Sequence, residues 1–431
     1  MKLSRSLRTL LPIIALGLAS PPALANGAFP DEFSIHFPPN APGRIIVGAN
    51  FGVMVSEDSG GTWRYACEPY VTTGSAVALS QVNVLYYQVT ADGAVLADTT
   101  NGTVTRSADV GCSWPTSGGS IAGLDVTDVF PSPTDPAFAL ATTATPTGSS
   151  LWASHDGGKT FDSPALYTSN VLLTGVEIAK SAPAVVYATL SGLSTAKLLR
   201  SADSGKNWAT WDLPTLPPPP GQQGGITPQP RILAVDPDDA TTAYVRLLGP
   251  PYDAIAVASN GGQTVDVALT INGVFTAFVR TGDKALYAGT SDGKLYVRPP
   301  QGVFAAPVKG PRFRCLGQRP GTTDLYACGD MFLDGFSVGV SHDGGATFQK
   351  VMKISELQGP LTCAAVQNAC ADHWARIRVS FGADAGTPTA DGGGGAPPAR
   401  GGHCGSAGAG TLGSLALIAF ALRRRGRHRQ R

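Results

Sequence analysis

Carboxylates, arginines and histidines decide what chemistry this 431-residue chain could perform. Asp236, Asp238 and Asp239 in "VDPDDA" form the densest acidic cluster, and Asp125 and Asp128 flank a strand in "LDVTDVF". Two carboxyl groups facing across a cleft can act as general acid and base on a glycosidic bond. A solvated turn between two strands accounts for the first cluster more simply, and blade-top residues would account for the second. Arg44 in "GRIIV" and Arg231 in "PRIL" could hold a substrate carboxylate, although each also reads as a strand-edge arginine. His36, His155, His342, His373 and His403 lie beside no GxSxG elbow, so a nucleophilic triad has no anchor. There is no CxxC pair and no histidine at ligand spacing, so neither zinc nor any other metal is expected, and no cofactor is implied.

What must position these groups is a repeat. "SEDSGGTW" at Ser56 returns as "SADVGCSW", "SHDGGKTF", "SADSGKNW" and "SHDGGATF", starting at Ser107, Ser154, Ser201 and Ser341. A worn copy, "ASNGGQTV", begins at Ala258, and "ALYAGTSDGKLYV" fills the last long gap with strands but no turn. Spacings near 50 residues signal an array of like units. Each unit reads as four short strands rich in β-branched and aromatic residues, bounded by turn residues. Four strands at this period predict an all-β fold, a β-propeller with one sheet per blade. Seven second strands can be counted: "RIIVGAN", "AVLADTT", "AFALATT", "VVYATL", "TAYVRLL", "ALYAGT" and "DLYACG". Seven blades are therefore expected between about residue 31 and residue 381. "EFSIHF" and "WARIRVSF" alternate apolar residues at the two ends, and each could be the strand that joins the first and last blades.

The recurring string belongs at the hairpin between third and fourth strands. Its serine and aspartate can bond the turn's own backbone, its glycine supplies a positive φ, and its aromatic ring buries against the blade. The copies are Ser56, Asp58, Gly60 and Trp63; Ser107, Asp109, Gly111 and Trp114; Ser154, Asp156, Gly158 and Phe161; Ser201, Asp203, Gly205 and Trp208; and Ser341, Asp343, Gly345 and Phe348. The pattern S-x-D-x-G-x-[TSN]-[WF] closely resembles the Asp-box, or BNR repeat. That resemblance covers most of residues 26–381 and implies a propeller of the kind found in sialidases, xyloglucanases, sortilin-type receptors and photosystem assembly factors. It also implies that the box is structural and not catalytic. A sialidase would need three arginines, a Tyr/Glu pair and an acid, with its first arginine in an R-I-P motif; Arg44 and Arg231 both lack the final proline.

The ends of the chain speak to location. Lys2, Arg5 and Arg8, an apolar run from Leu10 to Ala19, and Ala23-Leu24-Ala25 predict a cleavable signal peptide over residues 1–25. Residues 382–403 are a Gly/Pro-rich linker. Residues 404–431 comprise Cys404, an apolar stretch from Gly405 to Leu422 of near membrane-spanning length, and a terminal arginine cluster. This tail resembles the MYXO-CTERM sorting tail of myxobacterial surface proteins, which implies processing near Cys404 and display at the cell surface. Many such tails carry two cysteines, and this one has Cys404 alone. Both this reading and a plain membrane anchor place residues 26–403 outside the cytoplasm.

Six further cysteines lie in the repeat region, and six allow fifteen connectivities. The expectation is Cys67–Cys112, Cys315–Cys328 and Cys363–Cys370, in an exported domain that can keep disulfides. Three positive charges lie in the first 25 residues and six in the last 28, so the net +1 of the chain leaves about −8 between them. An acidic surface excludes a phosphate-backbone footprint, so no nucleic-acid partner is expected. The Pro-rich stretch Leu213 to Pro230 is the longest interruption of the repeat and reads as an extended loop projecting from one face. The combined expectation is a monomeric, exported, membrane-anchored propeller that binds a protein or a glycan without catalysis. A glycoside hydrolase of sialidase or xyloglucanase type is the alternative.

Overall fold

A computed structural model describes residues 32–73, 84–99 and 103–381. The expected signal peptide, linker, Cys404 and C-terminal tail lie outside the described residues. Among the described residues, no helix is long and apolar enough to cross a membrane.

Seven antiparallel sheets form seven blades, each built from strands consecutive in the chain. Their innermost strands are Glu32–His36, Val84–Val89, Asp125–Pro131, Leu172–Ile178, Gln229–Val235, Phe275–Arg280 and Cys315–Gln318. Each touches the innermost strands on either side, and the last touches the first, so the seven encircle one axis. All seven second strands counted in the sequence are second strands of their sheets. Six blades have four strands, and blade 2 has three described ones. The apolar core lies in the seams. Leu140 and Leu151 of blade 3, for example, pack with Leu173, Val176 and Ile178 of blade 4. Facing sheets hide apolar side chains from water on both sides of a blade, which drives the blades together.

The innermost strands share a feature not evident from composition. Six of the seven carry a register shift, an extra residue that bends the strand. In blades 3, 4 and 6 that residue is Thr127, Thr174 or Thr276. Each hydroxyl donates to a backbone carbonyl next to or within the following blade, at Leu173, Pro230 and Phe313 respectively. The bulge thus turns a threonine out of its own ladder and stitches it to the next blade.

Ring closure differs from expectation. "EFSIH" is the innermost strand of blade 1 and pairs with Ile45–Ala49 of the same blade. A short helix, α1 (Glu68–Thr73), follows blade 1, and "WARIRVSF" is not a strand; it ends a second helix, α2 (Ala364–Ser380). Its alternation is too short to outweigh the helix begun by Ala364 and Ala365. Residues 358–361 first run beside the outermost strand of blade 1, with Gln358 donating to Trp63, Tyr65 to Gly359, and Leu361 to Tyr65. Helix α2 then packs on blade 1, with Trp374 against Tyr65 and Phe381 against Phe51.

Two of the three expected disulfides are corrected by the structure. The bonds are Cys67–Cys370, Cys112–Cys363 and Cys315–Cys328. Cys363 and Cys370 are seven residues apart at the start and middle of α2. Two helical turns separate them by about 10 Å, beyond disulfide reach, yet leave both thiols on one side of the helix. Cys67 ends the outermost strand of blade 1, while Cys112 sits in the turn of blade 2 at the other face. Helix α2 spans the two and clasps residues 363–370 to both blades. Cys315–Cys328 links directly paired residues of neighbouring strands in blade 7.

Candidate functional site

Five repeated turns have the same internal geometry. In the first, Ser56 Oγ donates to Asp58 Oδ1 and accepts from Gly60 N; Thr62 N and Oγ1 donate to the two oxygens of Asp58. The same four bonds recur at Ser107, Ser154, Ser201 and Ser341 with Asp109, Asp156, Asp203 and Asp343. The tryptophans Trp63, Trp114 and Trp208 each donate an indole N–H to the carbonyl of the turn glycine. That glycine has φ of 99° at Gly60 and 85–93° at Gly111, Gly158, Gly205 and Gly345, a region open to glycine and costly to other residues. Donors converging on Asp58, Asp203 and Asp343 lower each carboxyl to about 2. Each of these carboxylates accepts three bonds from its own turn, which commits it to holding the bend.

The channel is different. It gathers side chains from blades 2 to 5. Asp128 Oδ1 accepts from Arg231 at 3.2 Å and from Val129 N, and its Oδ2 accepts from Val176 N. Arg231 lies over the ring of Tyr86, its guanidinium carbon 4.0 Å from the centroid. Arg231 also donates to the carbonyl of Thr174. Asp98, fully buried, accepts from Tyr86 N through Oδ1, while its Oδ2 is buried without a partner. Burial, then the neighbouring Asp128, push Asp98 well above the usual carboxylate range. Glu177 joins from blade 4. Burial raises it to about 8 against the pull of the Val235 amide, and Asp128 adds to the rise. Arg246 is bound through both its Nε and Nη2 to fully buried Asp253, at 2.9 and 2.6 Å to Oδ2. Arg231 pulls the Tyr86 hydroxyl down, but burial and the charges of Asp128 and Asp98 outweigh it and leave the hydroxyl raised.

Access separates these groups. Asp98 and Asp128 are withdrawn, whereas Tyr86 is 36% exposed and the side chains of Arg231 and Arg246 keep 30% and 22% of their surface. The surface a ligand can reach is an aromatic ring with a cation on it, held from beneath by carboxyl groups.

The other residues singled out from sequence lie elsewhere. Arg44 pairs with Glu57 at 2.8 Å within blade 1. Asp236 and Asp238 both hold Arg280, Asp236 also accepts from Tyr244, and Asp239 bonds Thr241 and Thr242. The "VDPDDA" cluster is therefore a latch between blades 5 and 6. Asp125 is exposed. His373 meets the Tyr65 hydroxyl at 3.2 Å, and His342 meets Asp324. The Pro-rich stretch is tied at its base by Leu216 and Ile226, which exchange two backbone bonds; residues 217–225 beyond it are mostly exposed. Among the described residues, no group of three His, Cys, Asp or Glu side chains could hold a metal ion.

Sequence reading found Asp128 and Arg231 but missed Tyr86, Asp98, Glu177, Arg246 and Asp253. A signal was present: Asp98 in "VLADT", Glu177 in "GVEIA" and Asp253 in "YDAIAVA" are single acids inside apolar strands. Such an acid must either be paired or keep its proton.

No family model matches the chain, and no curated protein matches it. Among solved structures, the chain is similar to the extracellular domain of BT4673 from B. thetaiotaomicron, a protein described as a one component system. The TM-score is 0.50 at 12% identity, covering 75% of this chain and 42% of that one. It is also similar to YCF48 from Cyanidioschyzon merolae, with TM-score 0.46, 12% identity, and 69% and 92% of the two chains covered. A structure of YCF48 bound to D1 peptide gives TM-score 0.36 and 15% identity over 53% and 67%. At these identities the likeness is one of fold. The seven sheets closed about one axis define the chain as a seven-bladed β-propeller.

Proposed function

We propose that this propeller is an exported, surface-anchored module that binds a protein or glycan at the channel mouth without catalysis. The observation that carries this reading is the division of access: Tyr86, Arg231 and Arg246 face solvent, while Asp98 and Asp128 are withdrawn from it. A general acid must touch the bond it protonates, whereas an aromatic ring carrying a guanidinium can stack on and hydrogen-bond a ligand as it stands. The five turns are Asp-boxes in this reading, rigid hairpins that hold the ring. The three disulfides support export, because such bonds persist in oxidising compartments. The signal peptide and the MYXO-CTERM-like tail with Cys404 supply export and anchoring, and the protein acts as a monomer.

The test is binding. Wild-type protein is screened by calorimetry against peptide and oligosaccharide libraries, and hits are repeated with Tyr86→Ala and Arg231→Gln. Loss of binding in folded variants supports the channel site; undiminished binding in both rejects it. Fractionation of cells tests location, and intact chain with its tail in the cytosol would defeat it. One observation favours the hydrolase alternative: Asp128 lies within electrostatic reach of both Asp98 and Glu177, and Glu177 is raised to about 8, into the range of a general acid. Hydrolysis of a chromogenic glycoside, abolished by Glu177→Gln, would establish it over binding.

A further inference from the structure

We propose a second binding site, for a neutral oligosaccharide, in the groove at the seam between blades 4 and 5, with Trp211 as its platform. The inference rests on the glycan half of the function proposed above but concerns a different surface. It starts from the worn copy of the turn, where Val265 stands in place of the closing aromatic ring.

In the complete turns the ring comes from the turn, and the preceding blade offers something aliphatic. A Cβ added to Gly60 would meet Val351, one on Gly158 would meet Leu96, and one on Gly345 would meet Leu295, each within 2.8 Å. At the seam of blades 4 and 5 the roles are exchanged. A Cβ on Gly262 would meet the Trp211 ring at 2.8 Å. Trp211 lies on the outermost strand of blade 4, Ala209–Asp212, and is partly exposed, whereas Trp63 and Trp114 are buried.

The exchange leaves a groove of about 410 Å³, lined by Trp211, Asp212, Leu213, Gly262, Gln263 and Val265. Its size falls within the range of small-ligand sites, roughly 300–1,000 Å³. Its chemistry suits a pyranose ring. The indole offers an apolar plane for the C–H face of the sugar. The Gln263 amide can both donate to and accept from hydroxyls, and the Asp212 carboxylate accepts from them. Asp212 is held by Lys197 at 2.6 Å and keeps most of its surface in solvent. Among the described residues Trp211 shows no hydrogen bond through its indole N–H, unlike Trp208 three residues earlier.

The test uses the exported chain, residues 26–403, and neutral hexasaccharides of glucose, N-acetylglucosamine, mannose and xylose as probes, read by calorimetry and tryptophan fluorescence. At least one is expected to bind and to perturb the fluorescence. Trp211→Ala should weaken it about tenfold or more, Trp211→Phe should retain most of the affinity, and Gln263→Ala should weaken it less than Trp211→Ala. Circular dichroism and the melting temperature verify that each variant is folded. Binding of a hexasaccharide that is lost with Tyr86→Ala and kept with Trp211→Ala would overturn the groove and leave the channel reading standing. Failure of every hexasaccharide to bind wild type would overturn the groove, while peptide binding at Tyr86 would still uphold the channel.

Discussion

The repeated turns and the channel use the same carboxyl group in opposite states. In the turns, Asp58 is surrounded by donors from Ser56 and Thr62 and drops to about 2. In the channel, Asp98 has one amide donor, no surface and an acidic neighbour, and is pushed well above its usual range. The turn supplies donors from within eight residues and remains wet. The channel supplies burial, which disfavours charge unless donors match it. Hydrogen-bond supply, not residue type, decides which aspartates are anchors and which are stored acids.

The comparison can be broken most sharply at Asp128. Asp128→Ala leaves Arg231 without its carboxylate and strands the amides of Val129 and Val176. The expected loss is about 3–5 kcal/mol in urea denaturation. A loss below about 1 kcal/mol would make the channel cluster no more important to stability than a surface turn. Next comes Asp109→Ala, which removes three of the four turn bonds in a wetter setting and should cost about 1–2 kcal/mol.

Changing pH should pull the two regions apart. The turn aspartates titrate near 3.8 when unfolded and about 2 when folded, so their stabilisation is present above pH 4 and is lost as pH falls toward 2. Glu177 has the opposite sign. Its folded pKa of about 8 exceeds the unfolded 4.5, so its contribution is fully present below pH 4.5 and is lost as pH rises through 8. In melting temperatures measured from pH 2 to 9, Glu177→Gln should flatten the decline between pH 5 and 8 and leave the acid limb unchanged. A wild-type slope in that variant would mean that Glu177 is ionised in the fold. The smallest effect is expected for Asp98→Asn, an amide of the same shape replacing an acid that burial drives toward its neutral form. Its stability at pH 7 should lie within about 1 kcal/mol of wild type, and a larger loss would show that Asp98 carries charge.

Local features of the chain were readable because their causes are local. Ser56, Asp58, Gly60 and Thr62 satisfy one another across seven residues, so the string alone specifies the bend. The second strands were readable because their β-branched and aromatic runs sit between turns. The alternation in "WARIRVSF" misled because a period of two over a few residues competes poorly with the helix that precedes it and the disulfides that hold it.

By itself, the sequence determined the repeated bends, the number of sheets and the all-β class, since each of these depends on residues within one short stretch. Only the closed ring decided that Asp128 meets Arg231 across 103 positions, that Cys67 finds Cys370 and not Cys112, and that Asp98 is pushed well above the usual carboxylate range. The physical reason is the same throughout. Partners and burial at those sites are contributed by different blades, and their distances exist only once the blades have closed around a common axis.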